Sequence, residues 1–141
     1  MRSIRSALLL AVGMLLVATP GSASAAPWEL VDRASDSGSF HASARAHAEI
    51  KRPKAILLRA TGYNDDPEDP RLDFHIDIDC FRGLRRSGFA RSFSAHAPIE
   101  RLHRRPTSIS RPDSCRVTLS ATASDGGFVS VRVHAKQRRR R

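Results

Sequence analysis

The chain has 141 residues, with 24 Lys+Arg against 14 Asp+Glu and a formal net charge of +10. That length holds one domain with a modest core and excludes two. Beyond the N-terminal segment no stretch is apolar for the roughly 20 residues that a membrane helix needs, so no membrane span is expected in the mature chain.

Arg2 and Arg5 open the chain. An apolar run from Ala7 to Ala18 follows, and then Ala23-Ser24-Ala25. A basic start, a short apolar middle and a small-x-small end are the parts of a secretory signal peptide. The sequence therefore predicts cleavage of residues 1–25 and export by the general secretory route, since Arg2 and Arg5 are not a twin pair. The mature protein is expected outside the cell or in its envelope.

The rest of the chain is dominated by alternation with a period of two, the mark of half-buried strands. Trp28–Ala34 opens the domain and turns at Asp36-Ser37-Gly38-Ser39. From Phe40 to Ile50, Phe40 and four alanines share one side with Ile50, and His41, Ser43, Arg45, His47 and Glu49 share the other. Alanine is a poor strand former, but a helix would scatter these polar residues around its axis. Lys54–Thr61, with Ile56, Leu57 and Leu58 consecutive, reads as a strand buried on both faces or packed at a sheet edge.

Residues 72–81 give the cleanest pattern. Leu72, Phe74, Ile76, Ile78 and Cys80 point one way, and Asp73, His75, Asp77 and Asp79 the other. Phe89–Ala95 and Ile99–His103 are shorter candidates, and Phe81, Phe89 and Phe93 are candidate core residues. Cys115–Ala123 and Val129–Ala135 alternate again. They are separated by Asp125-Gly126-Gly127, which predicts an antiparallel hairpin. Most prolines fall between these runs.

The fold class expected is all-β: an antiparallel sandwich of seven or eight strands over residues 26–136. Its order is immunoglobulin-like or jelly-roll-like. Residues 137–141 hold no core residue and read as a disordered basic tail. Cys80 and Cys115 are the only cysteines, and both lie on the apolar side of their strands. In an exported domain they predict one internal disulfide, worth roughly 3–4 kcal/mol for the loop it closes.

Three constellations bear on function. Residues 64–79 hold seven acids against Arg71. Clustered hard oxygens are what Ca²⁺ takes, so Asp65, Asp66 and Asp69 are candidate ligands, although the spacing is not that of an EF-hand. His75, Asp77 and Asp79 alternate on one strand face. Such residues lie about 6.5–7 Å apart, too far for one metal to join all three, and pairing with neighbouring arginines is the simpler reading.

Residues 82–116 hold nine arginines against Glu100 and Asp113. Arg82, Arg85, Arg86, Arg101, Arg104 and Arg105, with the tail arginines Arg138, Arg139, Arg140 and Arg141, are candidate contacts for an extracellular polyanion. The competing reading is that these arginines neutralise the acidic strip across strands.

Catalytic signatures are lacking: the sequence has no Gly-x-Ser-x-Gly, His-Glu-x-x-His or phosphate-binding loop. The leading expectation is a secreted, noncatalytic binding or interaction module whose ligand the sequence does not name, with an anionic polymer the first candidate and no cofactor. A Ca²⁺-stabilised structural domain and a hydrolase with a dispersed site are the alternatives.

Overall fold

Alternation of apolar and polar side chains becomes strand structure along most of the chain. The computed structural model describes residues 27–139, so the expected signal peptide and the last two arginines lie outside the described residues. Eight strands follow in order: β1 (Glu29–Gly38), β2 (Ala42–Lys51), β3 (Pro53–Asn64), β4 (Leu72–Arg82), β5 (Arg85–Ala95), β6 (Ile99–His103), β7 (Ser114–Ala123) and β8 (Gly127–Gln137). They build two four-stranded sheets, β1-β8-β3-β6 and β2-β7-β4-β5, with every pair antiparallel. The sandwich expected from the alternation is present. Its order resolves the open choice: this is the double-sheet jelly roll rather than an immunoglobulin-like arrangement.

Only β4 and β5 are sequence neighbours paired within a sheet; the remaining connections cross from one sheet to the other. The hairpin expected for the last two strands is therefore not formed. β7 lies in the second sheet and β8 in the first, and the Asp-Gly-Gly turn arches over the core between them. Its glycines do adopt positive φ, 90° at Gly126 and 127° at Gly127. That freedom serves close packing. A Cβ on Gly126 would lie 2.4 Å from the Ser39 carbonyl oxygen, and one on Gly127 would lie 2.2 Å from that of Tyr63.

The core is the sum of the inward positions. Ile56, Leu58 and Ala60 of β3 and Val129, Val131, Val133 and Ala135 of β8 face Ile50, Phe74, Ile76, Ile78, Val117 and Leu119 of the second sheet. The alanine side of β2 is wholly buried, as the alternation implied, but Phe40 is 88% exposed and stands outside it. β3 is a central strand of the first sheet and not an edge; Ile56 and Leu58 of its apolar run face the core, and Leu57 is buried on the outer face, in the row of His134 and Leu102. Phe93 packs on the core against Phe74. Phe89 is only partly covered, and Phe81 turns to the outer face of the second sheet between the guanidiniums of Arg86 and Arg116.

Cys80 and Cys115 sit directly opposite each other on β4 and β7 and are bonded, with their Cα atoms 4.1 Å apart. The disulfide thus ties neighbouring strands inside one sheet. At one side of the sandwich, β1 seals the edge of β2. The Asp36 carboxylate accepts from the Ser43 N–H at 2.9 Å, and the Asp32 carboxylate accepts from the His47 N–H at 2.8 Å. These carboxylates occupy donors that a foreign strand would otherwise use.

β8 runs to Gln137, and Arg138 follows it. The Arg138 N–H donates to the Arg52 carbonyl at 2.9 Å, and its guanidinium donates to the carbonyl of Pro112.

Candidate functional site

The outward positions of β1, β8 and β3 form cross-strand rows, because antiparallel register places facing residues about 4.8 Å apart. From one end of the first sheet to the other, Phe128 faces Ser37 and Tyr63, and Ser130 faces Ser35 and Thr61. Arg132 faces Arg33 and Arg59, and His134 faces Leu30 and Leu57. β6 extends the last two rows, with Glu100 opposite Arg59 and Leu102 opposite Leu57. The face therefore runs from an aromatic end through a hydroxyl row and an arginine row to an apolar end.

The arginine row carries the unusual charge. Like charges directly opposite one another on a sheet are destabilising, and here three guanidinium side chains share one row. Glu100 neutralises Arg59 with a 2.8 Å contact. Among the described residues, no carboxylate lies within ion-pair distance of Arg33 or Arg132. Both are exposed. An open cleft of about 310 Å³ lies between them, lined by Arg33, Ala34, Ser35, Ser130 and Arg132. A guanidinium keeps its charge at any physiological pH and presents a planar fork of donors. Two such forks beside two hydroxyls are suited to holding an anion.

His134 flanks the row. Its Nδ1 is buried without a hydrogen-bond partner. Burial, with the nearby Arg59 and Arg132 guanidiniums, pushes its pKa below the usual histidine value, and Glu100 opposes this. The neutral form of the ring is therefore favoured beside the arginines.

The residues singled out from the sequence lie on several elements. Arg82 and Arg85 flank the β4–β5 turn, and Arg82 donates to the Ser110 carbonyl at 3.1 Å. Arg86 pairs with Asp79 at 2.8 Å, which is the cross-strand neutralisation that competed with polyanion binding. The Arg101 and Arg91 guanidiniums both lie near the Phe93 ring, 5.2 and 5.5 Å from its centre. Arg104 and Arg105 follow β6 in the connection to β7, and Arg138 is tied down at the end of β8. Arg82 and Arg138 thus both donate to carbonyls of the 110–112 segment that leads into β7.

The acidic loop has its own partners. Asp69 makes a two-pronged contact with Arg71, at 2.7 and 2.9 Å. This side-chain hydrogen bond lowers its pKa to about 2. The Asp66 carboxylate accepts from the Glu68 N–H at 2.9 Å, and the Asp65 N–H donates to Gly126. Among the described residues, no group of three or more His, Cys, Asp or Glu is placed to hold a metal ion. Asp65, Asp66 and Asp69, the candidate Ca²⁺ ligands, belong to a loop whose carboxylates at Asp66 and Asp69 bond its own backbone and Arg71.

On the outer face of the second sheet, His75 bonds Ser92 and His47 bonds Thr118, both at 2.8 Å. Among the described residues, neither imidazole has a hydrogen bond from its other ring nitrogen to a carboxylate.

Arg33, Arg59, Arg132, Tyr63 and Phe128 were not singled out by the sequence. The parity of each was readable within its strand. Their convergence depends on β8 lying between β1 and β3, which no local pattern encodes.

No protein-family model matches the chain, and no curated protein sequence matches it. Among solved structures, the chain is similar to TmCBM61, determined in complex with β-1,4-galactotriose. The two share 8% identity with a TM-score of 0.45, over 81% of this chain and 90% of the other. It is also similar to a carbohydrate-binding module of the β-sandwich superfamily described as promiscuous in specificity, at 9% identity and a TM-score of 0.40, over 81% of this chain and 54% of that one. The likeness is one of sandwich architecture. Among the described residues, no helix is long and apolar enough to cross a membrane.

Proposed function

We propose that this protein is an exported, noncatalytic binding module that holds an anionic ligand against the outer face of its first sheet. Residues 1–25 serve as its secretion signal, consistent with a folded part that carries a disulfide. The observation that carries the reading is the pair Arg33 and Arg132, side by side across a cleft with, among the described residues, no carboxylate within ion-pair distance of either. Such a row is unfavourable in the free protein and becomes favourable when an anion bridges it. Arginine forks and hydroxyls bind and orient, and an arginine is no general base at physiological pH. The chemistry of this face is therefore retention of a ligand.

The test is retention on immobilised heparin at low and physiological salt. The Arg33→Gln/Arg132→Gln double variant is expected to elute at clearly lower salt than the parent. The Arg104→Gln/Arg105→Gln variant and a chain ending at Lys136 are expected to elute close to the parent. Unchanged elution of the first variant, with loss confined to the shortened chain, would move the charge-driven contact to the C-terminal arginines and refute the assignment.

A further inference from the structure

We infer that the anionic ligand is an acidic oligosaccharide, lying along the first sheet from the Tyr63–Phe128 aromatic end to the Arg33–Arg132 cleft. This rests on the anion-binding reading of the arginine row and adds a ligand class to it. Tyr63 and Phe128 face each other across β3 and β8, with ring centroids 6.5 Å apart and planes tilted by 39°. Tyr63 is 57% exposed, so a large part of its ring is open to solvent on the same face as the arginines.

Phe128 and Arg132 are four residues apart on one strand, a distance of about 13 Å. That is the length of a short oligosaccharide. Between them lie the hydroxyls of Ser35, Ser130 and Thr61, one row from the cleft. Each chemical part of a sugar acid has a counterpart in order along this line. The apolar face of a pyranose ring matches an exposed aromatic face. Its ring hydroxyls, which both donate and accept, match side-chain hydroxyls that do the same. Its carboxylate matches a guanidinium fork. A bare polyanion such as polyphosphate would use only the last of these. A single-stranded nucleic acid favours successive aromatic platforms along a basic groove, whereas between the Tyr63–Phe128 pair and the arginine row this face presents hydroxyls and no further ring.

Binding of tetragalacturonate, inorganic polyphosphate and a short oligo-dT, each measured by titration calorimetry at one salt concentration, tests the inference. The variants are Tyr63→Ala, Tyr63→Phe and Arg132→Gln, each checked for an unchanged far-ultraviolet spectrum and melting transition. Arg132→Gln is expected to weaken both tetragalacturonate and polyphosphate by about tenfold or more, the scale of a lost charged hydrogen bond. Tyr63→Ala is expected to weaken tetragalacturonate by about three- to tenfold, the scale of a lost aromatic contact, and to leave polyphosphate unchanged. Tyr63→Phe should retain the parental affinity.

Equal tetragalacturonate affinity in the parent and Tyr63→Ala would overturn the oligosaccharide assignment while leaving the anion reading intact. Tighter, Tyr63-dependent binding of oligo-dT would overturn it in favour of a base on the aromatic shelf. Indifference of both tetragalacturonate and polyphosphate to Arg132→Gln would overturn the anion reading itself.

Discussion

Replacing Arg132 with glutamine should make the protein more stable while weakening its ligand binding. Arg132 is the centre of its row, with Arg33 on one side and Arg59 on the other. Opposed like charges on a sheet destabilise by roughly 0.2–1 kcal/mol per pair. The Arg59 pair is partly offset by Glu100, 2.8 Å from the Arg59 guanidinium, so the Arg33 pair dominates. Glutamine keeps part of the aliphatic stem and removes the charge. The net gain is then about 0.5 kcal/mol at low salt, roughly 2 °C in melting temperature for a domain of this size. Because the side chains are exposed, the gain is electrostatic and screened. It should shrink as the Debye length falls from about 10 Å at 0.1 M salt to about 3 Å at 1 M. Urea denaturation and thermal melting of the parent and variant at both salts provide the assay. A variant less stable than the parent at low salt, or a gain unchanged at 1 M salt, would refute the view that the row is electrostatically frustrated in the free protein.

Three further outcomes follow from the fold. Removing both cysteines should cost about 3–4 kcal/mol, from the loop-closure entropy of a 35-residue separation, read as a shift in denaturation midpoint that reductant reproduces in the parent. Gly62→Ala should prevent stable folding, because its Cβ would lie 2.1 Å from the Phe128 carbonyl oxygen at a φ of +142°. Gly88→Ala should be mild, since the clash is with the movable Asp79 carboxylate, 2.6 Å away; thermal melts of the two variants should differ widely. For His134 the folded pKa is depressed, by burial and by Arg59 and Arg132. Its contribution is therefore complete above the unfolded value near 6.5 and is lost as pH falls through the lower folded value. His103, depressed by burial and by Arg101, has the same sign. Melting temperature should fall between about pH 7 and 5, and less so in His134→Gln; a rise over that window would refute the assignment.

Most strands were legible because they face water on one side and oil on the other, so parity reports them; β3, with Leu57 buried on the outer face, was legible instead as an apolar run. The disulfide partner was legible because only two cysteines exist and both have inward parity. What parity cannot report is which sheet a strand joins. Val129, Val131 and Val133 bury equally well whether β8 pairs with β7 or faces it across the core. The Asp-Gly-Gly turn permits positive φ in either geometry, so the expected hairpin and the observed arch share one local signature. The same limit hid the candidate site. Arg33, Arg59 and Arg132 are separated by long stretches of sequence and meet only through the strand order. Arg86 and Asp79, by contrast, lie within a single β4–β5 hairpin, where neutralisation could be anticipated from neighbouring residues.

β1 begins beside the end of β8, with Glu29 opposite Ala135 and the Lys136 ammonium 4.8 Å from the centre of the Trp28 ring. The polypeptide therefore enters and leaves the sandwich at one pole, while Tyr63 and Phe128 occupy the opposite pole of the same sheet. A tether attached at either terminus, whether a fusion partner or an immobilised support, would hold the molecule by its base and leave its aromatic tip pointing outward.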